Sequence, residues 1–562
     1  MFSNFAIFIF FYIFILFSVV GYGLIISKLD NRNYISNNLG YLGLIGLFFL
    51  GIYSYLSSIF LKHNYLHNSL VLLIGFASFL YFIKINFNKY KTYILRFLTI
   101  FFIVFISSLI YKMHDDFPYY HFPYSYILTQ NNLIIGLGQL NLGFRTPSSL
   151  FYLNSIFYLP LIKFYIFMMP AILILGFVNL IIYEKIIKNF KNKKINYITY
   201  FCLLILIFIN IFFYRIGEHG TDKSAQILIF LLIIEILIFL EIKKFSPKIL
   251  SKTYLLIGLI ISLKAFYVLY AATIVVLFFK VIKKKKYFQS MSFFLKNSFF
   301  IPLFIFFILI LFSYFTNTGC LVYPVSFTCF ENFSWSISKK EVIELNNWYE
   351  LWSKAGAGPN HRVENPLIYI NNFNWIGNWI DKYFFNKVSD FLLGVIFLIF
   401  FVTFFFYSSE KRNLKFPKIK FLITLLFLLF IEWFYNHPAL RYGGYSAIIS
   451  ICFLFFSISL GKYKLPFKRL KKRFNILILI TIIIFLGRNI NRIQNEIEVY
   501  SYNPIFDVNY RVEDSYFNIS NLINNKISNY NLCELKKIDC KELDNIQIKK
   551  IYNYYVLYKD DQ

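Results

Sequence analysis

The amino-acid sequence predicts an all-α, polytopic membrane protein with about 13–14 transmembrane helices. Of its 562 residues, 58% are hydrophobic and 22% are aromatic, and the mean hydropathy is +0.59. Apolar stretches of about 17–25 residues recur along the chain, which is the length a helix needs to cross the hydrocarbon layer. A transmembrane β-barrel would instead show alternating segments of about ten residues, and that pattern is absent from the sequence.

The candidate spans follow one another along the chain as apolar segments. The first exceeds the length of a signal-peptide core and follows no basic segment, so it is predicted to be a membrane helix. The eighth and ninth are short and predict a tight hairpin around Lys264. The segments are residues 5–27, 38–61, 68–84, 94–112, 163–183, 197–214, 224–241, 253–263, 265–282, 297–315, 389–408, 418–435, 442–460 and 473–488.

Basic residues are concentrated in alternate loops. These loops are predicted to be cytoplasmic, because cytoplasmic loops carry an excess of lysine and arginine. The formal net charge of +29 therefore reflects membrane topology, and nucleic acid is excluded as a partner. The basic loops are residues 184–194, 241–252, 280–286, 409–420 and 461–474. The opposite, external segments are then residues 113–162, 215–223, the turn at 264, 316–388, 436–441 and the tail after about 489.

Two domains are expected. Residues 1–488 form a transmembrane domain, whose external loops 113–162 and 316–388 are long enough to have structure of their own. Residues 489–562 form a small external C-terminal domain, in which the apolar residues suggest an α/β unit.

The cysteines agree with this topology. Cys320 and Cys329 lie nine residues apart in one predicted external loop, and Cys533 and Cys540 lie seven apart in the tail. Cysteines that can pair on the external side fit an oxidising compartment, so these four are disulfide candidates. Unrelated thiols are the alternative.

The stretch HDDFPYYH, residues 114–121, directly follows the fourth apolar segment. Its adjacent carboxylates, Asp115 and Asp116, stand at a membrane boundary, where they lose part of their solvation. A carboxylate in such surroundings can act as a general base toward a hydroxyl. Two adjacent carboxylates could instead bind a divalent cation, or one could cap a helix beside a solvated neighbour. The residues alone leave these alternatives open.

Further polar residues fall on the same predicted side. Lys264 is a cation that the loop charges do not explain, and it needs an anion such as a lipid phosphate or else extends to the interface. Arg441, in NHPALRYGGY, is suited to bidentate phosphate contact or to interfacial anchoring. RIGEHGTDKS forms either a second acidic and imidazole group or a polar turn. The candidate substrate-binding residues are His114, Tyr119, Tyr120, His121, Arg145, Glu218, His219, Asp222, Lys264, His437, Arg441 and Tyr442.

This chain resembles the GT-C superfamily of integral-membrane glycosyltransferases, which includes protein O-mannosyltransferases and the aminoarabinose transferases of lipid A. Those enzymes carry an acidic pair, followed by a tyrosine, in their first large external loop. Asp115, Asp116 and Tyr119 can be aligned with these three residues. A second alignment, with uncharacterised bacterial multispanning proteins, matches Asp116, Tyr120 and His121 instead. SLKAFYVLYA and HPALRY resemble later segments of the superfamily. Here the acidic segment follows the fourth predicted span rather than the first, and its second acidic residue is Asp where many members have Glu.

The resemblance implies a GT-C-like arrangement of the transmembrane helices. It also implies an inverting glycosyltransferase of the bacterial cytoplasmic (inner) membrane, with its large loops and C terminus in the periplasm. The donor would be a polyprenyl-phosphate-linked sugar, its phosphate near Lys264 and Arg441. Asp115 or Asp116 would act as the catalytic base on a glycan, lipid or protein acceptor. No cofactor is required, although a divalent cation is compatible with the family; membrane lipid is the remaining partner.

Two other functions are consistent with the sequence. A transporter or flippase of an envelope lipid or glycan would carry polar residues at mid-membrane depth, whereas these span interiors are nearly all Phe, Ile and Leu. A non-catalytic envelope assembly protein would tolerate the loss of both carboxylates. The clustering of polar residues on one side favours the enzyme.

Overall fold

The computed structural model describes residues 3–29, 38–218, 220–283, 286–358, 362–413, 416–506, 510–536 and 545–559, called the described residues below. They form α-helices joined by short turns, with three short strands. The helices are α1 (Ser3–Leu29), α2 (Leu39–Phe60), α3 (Tyr65–Phe105), α4 (Phe122–Gln130), α5 (Ser149–Ile156), α6 (Met169–Lys191), α7 (Tyr197–Phe212), α8 (Thr221–Glu241), α9 (Pro247–Leu263), α10 (Thr273–Ile282), α11 (Tyr287–Leu295), α12 (Phe300–Thr318), α13 (Lys339–Lys354), α14 (Pro366–Ile370), α15 (Ile376–Trp379), α16 (Ser389–Phe406), α17 (Lys420–Asn436), α18 (Gly444–Gly461), α19 (Phe467–Tyr500) and α20 (Asn518–Lys536). The strands are β1 (Ile134–Ile135), β2 (Ile546–Ile551) and β3 (Tyr554–Lys559).

The chain is an all-α, multi-pass membrane protein. Within the described residues, 11 helical stretches are long and apolar enough to cross a membrane, and α7 is a shorter apolar helix. Helices α9 and α17, of 17 residues each, are shorter than these 11 stretches and are not counted with them. The 11 stretches are Asn4–Leu29, Leu39–Phe60, Tyr65–Asn88, Tyr90–Ser108, Met169–Lys191, Thr221–Glu241, Ala265–Ile282, Phe300–Thr318, Ile376–Phe406, Gly444–Gly461 and Phe467–Tyr500.

Every predicted apolar segment overlaps a helix, but two predicted limits are wrong. Residues 109–112 follow the helical part of the fourth segment as irregular chain, and residues 163–168 form turns before α6. Leu161 and Lys163 have positive φ angles of 67° and 50°, which do not fit a right-handed helix. Pro170 stands in the first turn of α6, where its missing N–H costs no intrahelical hydrogen bond.

Helix α3 contains the third predicted span and residues 94–105 of the fourth without a break in its helical backbone. Phe79 and Phe97 nevertheless have ring centroids only 6.2 Å apart, and Phe82 and Tyr90 are 5.7 Å apart. In a straight helix, 18 residues would separate Phe79 from Phe97 by about 27 Å. The chain therefore reverses near residues 83–90, and the two halves cross the membrane in opposite directions.

The predicted basic loops meet at one end of the helix bundle. Phe190 contacts Phe467 at 5.8 Å between ring centroids, and Lys411 pairs with Tyr463 as an isolated β-bridge. The ammonium of Lys280 donates hydrogen bonds to three carbonyl groups at the C-terminal end of α8. Cations are favoured at that end of a helix, because its last carbonyl groups lack intrahelical partners.

Some polar side chains of the spans pair away from the opposite end. Glu235, in α8, is 1% exposed and pairs with Lys185 of α6, toward the end that carries the basic loops. Arg96 pairs with Glu184 at 2.9 Å. Single charged residues in long apolar runs give no indication of this pairing, because their partners lie on other helices.

The predicted external segments pack on one another. Strand β1 of the first loop pairs in parallel with β3 of the C-terminal tail, and β3 pairs antiparallel with β2. Cys320 and Cys329 form a disulfide with an S–S distance of 2.07 Å. Cys533 is disulfide-bonded, and Cys540 lies outside the described residues. The pairing of β1 with β3 joins the C-terminal tail to the segment that follows HDDFPYYH.

Candidate functional site

Arg441 lies at the centre of a charged cluster at the end of the bundle opposite the basic loops. Its Nη2 is 3.1 Å from Oδ2 of Asp116, and its Nε is 3.4 Å from Oδ2 of Asp222. Lys264 Nζ is 3.3 Å from Oδ1 of Asp222. Three later turns of the chain therefore meet the segment that carries HDDFPYYH. We call Asp116, Asp222, Lys264 and Arg441 the four-residue cluster.

The turn that carries Arg441 is held by side chains from several helices. Trp379 and Trp433 donate indole hydrogen bonds to the carbonyls of Pro438 and Ala439, and Gln226 donates one to the carbonyl of Arg441 itself. The carbonyls of Ala439 and Arg441 each accept a second hydrogen bond as well, so the backbone of the turn is closely held. The guanidinium therefore projects from a fixed backbone.

Gly443 closes this turn. Its φ angle is +113°, in a region that residues with a side chain rarely adopt, and an added Cβ would lie 3.2 Å from the ring of Tyr267. The glycine lets the chain turn directly from Arg441 into α18. Gly443 in NHPALRYGGY therefore has a structural reason.

Asp116 directly precedes a short π-helix over residues 117–121. Its backbone N–H donates to Nδ1 of His114 at 3.1 Å, and that nitrogen is 3.5 Å from Oδ2 of Asp116. An Nδ1 that accepts a hydrogen bond belongs to a neutral imidazole. Burial lowers the pKa of His114, and this outweighs the opposing charge of Asp116.

Asp222 and Lys264 stand at opposite ends of their helices. Asp222 lies in the first turn of α8, where the exposed N–H groups favour a negative charge. Lys264 follows the last residue of α9 with an extended backbone. The side chain of Asp222 is 12% exposed, and that of Lys264 is 27% exposed, so the ammonium reaches the surface while the carboxylate lies beneath it.

Aromatic side chains enclose the cluster. The guanidinium carbon of Arg441 is 5.6 Å from the ring centroids of both Trp352 and Tyr442, within range of a cation–π contact. Burial raises the pKa of Tyr120 and of Tyr442, so both hydroxyls stay protonated and can donate hydrogen bonds. Beside Tyr442, a crevice with room for about one water molecule lies between the 3₁₀ helix Ala265–Ala272 and helices α17 and α18, with Glu432 in its wall.

The site has no recognisable metal centre. Among the described residues, no group of three or more His, Cys, Asp or Glu side chains is arranged to hold a metal ion. Asp115 is exposed and makes no ion pair with a described residue, whereas Asp116 is paired with Arg441. The adjacent carboxylates thus have different environments, which their sequence does not reveal.

A family model described as a domain of unknown function, DUF8201, matches residues 5–449. This is more than half of the 562-residue chain. The chain belongs to the DUF8201 family. The DUF8201 match contains all four residues of the cluster and ends before α19. No curated protein and no solved structure matches the chain.

Several candidate residues of this DUF8201 protein have other contacts. Arg145 is 2% exposed and pairs with Glu341 at 2.7 Å, which ties the segment 113–162 to α13. Glu218 pairs with Arg215 and with Arg492. His121 is buried against Phe151, Tyr119 is 68% exposed, and His219 lies outside the described residues.

Sequence reasoning missed three residues near the cluster. Lys223 follows Asp222 directly, makes no ion pair with a described residue, and acts electrostatically on His114. Trp352 and Tyr349 belong to α13 and approach Arg441 from a distant loop. The amphipathic spacing of the tryptophans in residues 316–388 predicts a surface-lying segment and does not indicate contact with Arg441.

His437 is expected to make the stability of the protein depend on pH. Burial, with a smaller effect of the Lys354 charge, lowers its pKa to about 4, and its Nδ1 has no hydrogen-bond partner among the described residues. The unfolded chain binds the proton near pH 6.5, so stability falls as the pH drops from about 6.5 toward 4. We expect a loss of about 2–3 kcal/mol over that range. Thermal unfolding in detergent would measure it.

The control is His437→Phe, which keeps a ring against Phe266 but cannot bind a proton. Its unfolding temperature should change less between pH 6.5 and pH 4 than that of the unmodified protein. An equal change in both proteins would mean that another group is responsible.

Proposed function

We propose that this protein is an inverting glycosyltransferase that moves a sugar from a polyprenyl-phosphate-linked donor to an acceptor on the periplasmic face of a bacterial inner membrane. The observation that carries the proposal is the contact of Asp116 with Arg441 beside Lys264 and Asp222. It brings a carboxylate that can act as a base next to two cations that can bind a phosphate.

The geometry favours Asp116 over Asp115 as the base. Arg441 and His114 approach the same oxygen of Asp116, Oδ2, which leaves Oδ1 to accept a proton. In the proposed step, Oδ1 takes the proton of the acceptor hydroxyl, and the hydroxyl oxygen bonds to the anomeric carbon. The bond from that carbon to the phosphate oxygen breaks, and polyprenyl phosphate leaves with the electron pair.

The charges of the site are matched to a donor of this kind. Asp116 and Asp222 balance Lys264 and Arg441, and Lys223 adds one positive charge that is not paired with a described residue. A sugar phosphodiester carries one negative charge, which Lys223 would balance. As the phosphate leaves it gains a second negative charge, which the nearby cations stabilise.

The exposure of the two cations supports the placement of the donor. The side chains of Lys264 and Arg441 are 27% and 36% exposed, and they stand where the chain leaves α9 and where it enters α18. A lipid-linked phosphate could enter from the hydrocarbon layer and meet the cations at the surface, which is how interfacial phosphates are usually bound.

The experiment compares surface glycans in cells with and without the protein, by mass spectrometry of released glycans. Loss of one sugar from a glycan or glycolipid is the expected result. Unchanged glycans would argue for a non-catalytic assembly role. A reporter fused within residues 113–162 must also be periplasmic, and a cytoplasmic reporter would contradict the orientation on which the proposal depends.

Arg441→Lys should reduce transfer by about 10–100-fold. The lysine keeps the charge, but a single ammonium does not reproduce the planar fork that reaches Asp116 and Asp222 together. The measurement is the initial transfer rate in membrane vesicles that contain the native lipid-linked sugars. Lys462→Gln, at an exposed part of the basic face, is the control and should transfer at the unmodified rate. A rate within twofold of the unmodified protein for Arg441→Lys would exclude a bridging role.

A transporter of an envelope lipid or glycan is the second candidate. It is favoured by the buried polar groups inside the spans, where Asn179 and Asn210 exchange amide hydrogen bonds and Glu235 pairs with Lys185. Such groups mark substrate pathways in many transporters. If the protein is a transporter, cells that lack it should accumulate the lipid substrate on the cytoplasmic leaflet. If it is a transferase, cells that lack it should accumulate the lipid-linked donor on the outer leaflet.

A further inference from the structure

A second charged cluster lies between four helices near the basic-loop end of the bundle. Glu235 of α8 accepts a hydrogen bond from the hydroxyl of Tyr41 and is 2.5 Å from Nζ of Lys185, both through its Oε1. The ammonium of Lys252, from α9, lies 4.0 Å from the ring centroid of Tyr41. We call Tyr41, Lys185, Glu235 and Lys252 the inner cluster.

The charges of the inner cluster do not balance. Two ammonium groups face one carboxylate, and Lys252 makes no ion pair of 4.0 Å or less with a described residue. The exposed Lys188 and Lys248 add positive charge around it. An uncompensated charge at the edge of the hydrocarbon layer is costly, so an anion from outside the described residues is expected there.

The depth of the cluster indicates which anion. Lys185 is six residues before the end of α6, and Lys252 is five residues after the start of α9. At 1.5 Å per residue these positions lie about 7–9 Å inside the helix ends, a depth that lipid head groups and the adjoining acyl chains share. Lys252 is partly exposed, so its ammonium can meet such a group.

We propose that the inner cluster binds a phosphate group, that of an anionic phospholipid such as phosphatidylglycerol, through Lys252 with Lys248 at its rim. Glu235 and Tyr41 would hold Lys185 in place, and the phosphate would supply the missing negative charge. Basic pockets between membrane helices on this side of a membrane are known to bind anionic head groups. This proposal does not depend on the transferase activity of the opposite face.

The test uses the full chain in nanodiscs of phosphatidylcholine with and without phosphatidylglycerol. Bound lipid is counted by native mass spectrometry after release of the protein. We expect phosphatidylglycerol to remain bound to the unmodified protein, and Lys252→Gln to weaken its binding about fivefold. Lys468→Gln, an exposed lysine on the same basic face, is the matched control and should bind as the unmodified protein does.

Two further arms complete the experiment. Inorganic phosphate is added to phosphatidylcholine nanodiscs, and a rise in unfolding temperature that Lys252→Gln abolishes would assign the site to free phosphate instead of lipid.

If Lys252→Gln fails to accumulate, Lys248→Gln is tested in its place, because that lysine is exposed and its loss should still weaken lipid binding. Equal lipid binding by the unmodified protein, the tested variant and Lys468→Gln, with no effect of phosphate, would overturn the proposal. An equal decrease in Lys468→Gln would also overturn it, because it would indicate only a general attraction to the basic face.

Discussion

Asp116→Asn is expected to lower the rate of sugar transfer by about 10²–10⁴-fold, the usual contribution of a general base. The amide has nearly the shape of the carboxylate, and it can still accept a hydrogen bond from Arg441, but it cannot take the proton of an acceptor hydroxyl. The measurement is the initial transfer rate in vesicles, together with recovery of the surface glycans in cells that lack the native protein.

Asp115→Asn is the matched control for this substitution. It removes a carboxylate from the neighbouring position, where the side chain is exposed and makes no ion pair with a described residue. We expect its rate to stay within about twofold, because an exposed charge is screened by solvent. A large loss in Asp115→Asn and a normal rate in Asp116→Asn would move the base to Asp115. Normal rates in both would contradict the transferase.

Arg492→Met is expected to lower the free energy of unfolding by about 3–5 kcal/mol, as for removal of one partner of a buried ion pair. Arg492 is 7% exposed, and it contacts Glu218 at 2.8 Å and Glu496 at 2.7 Å. Its Nη2 also donates to the carbonyl of Lys112. Without the guanidinium, two buried carboxylates lose a partner that links α19 to the segment before Asp116.

Thermal unfolding in detergent would measure this effect. The control is Arg488→Met, one turn earlier in α19, whose guanidinium is exposed, lies over the ring of Tyr214 and donates to the carbonyl of Ile211. We expect a loss of about 0.5–1 kcal/mol there, the usual worth of an exposed cation–π contact. Equal losses in the two variants would show that the contacts of Arg492 with Glu218 and Glu496 add little stability.

The network around Arg492 also bears on the site. Glu496 accepts hydrogen bonds from the backbone N–H groups of Tyr111 and Lys112, just before His114. Glu218 lies in the turn that leads to Asp222. The C-terminal part of α19 therefore contacts the two segments that lead to Asp116 and Asp222. This helix lies outside the residues that the DUF8201 model matches.

Much of the architecture could be predicted because the membrane imposes simple rules on the sequence. Apolar length marks the spans, and the lysine-rich loops mark one end of the bundle, where Phe190, Lys280 and Lys411 make their contacts. The reversal within α3 is also expected from two apolar segments, even though its backbone stays helical. The irregular residues 163–168 were missed because their apolar composition does not differ from that of a span.

The sequence by itself determined that this is a multi-pass helical protein and that His114, Asp116, Asp222, Lys264 and Arg441 belong to segments on one side. Only the tertiary structure decided that Asp116, and not Asp115, meets Arg441, a residue 325 positions away. It also paired Lys264 with Asp222, where the sequence left open an anion such as a lipid phosphate or extension to the interface. The length of the apolar segments and the positions of the charged residues indicate how deep each residue lies in the membrane and on which side. They do so because both depend on the free energy of transfer between water and lipid. Which residues meet depends on how the helices pack, and that is set by shape over the whole bundle.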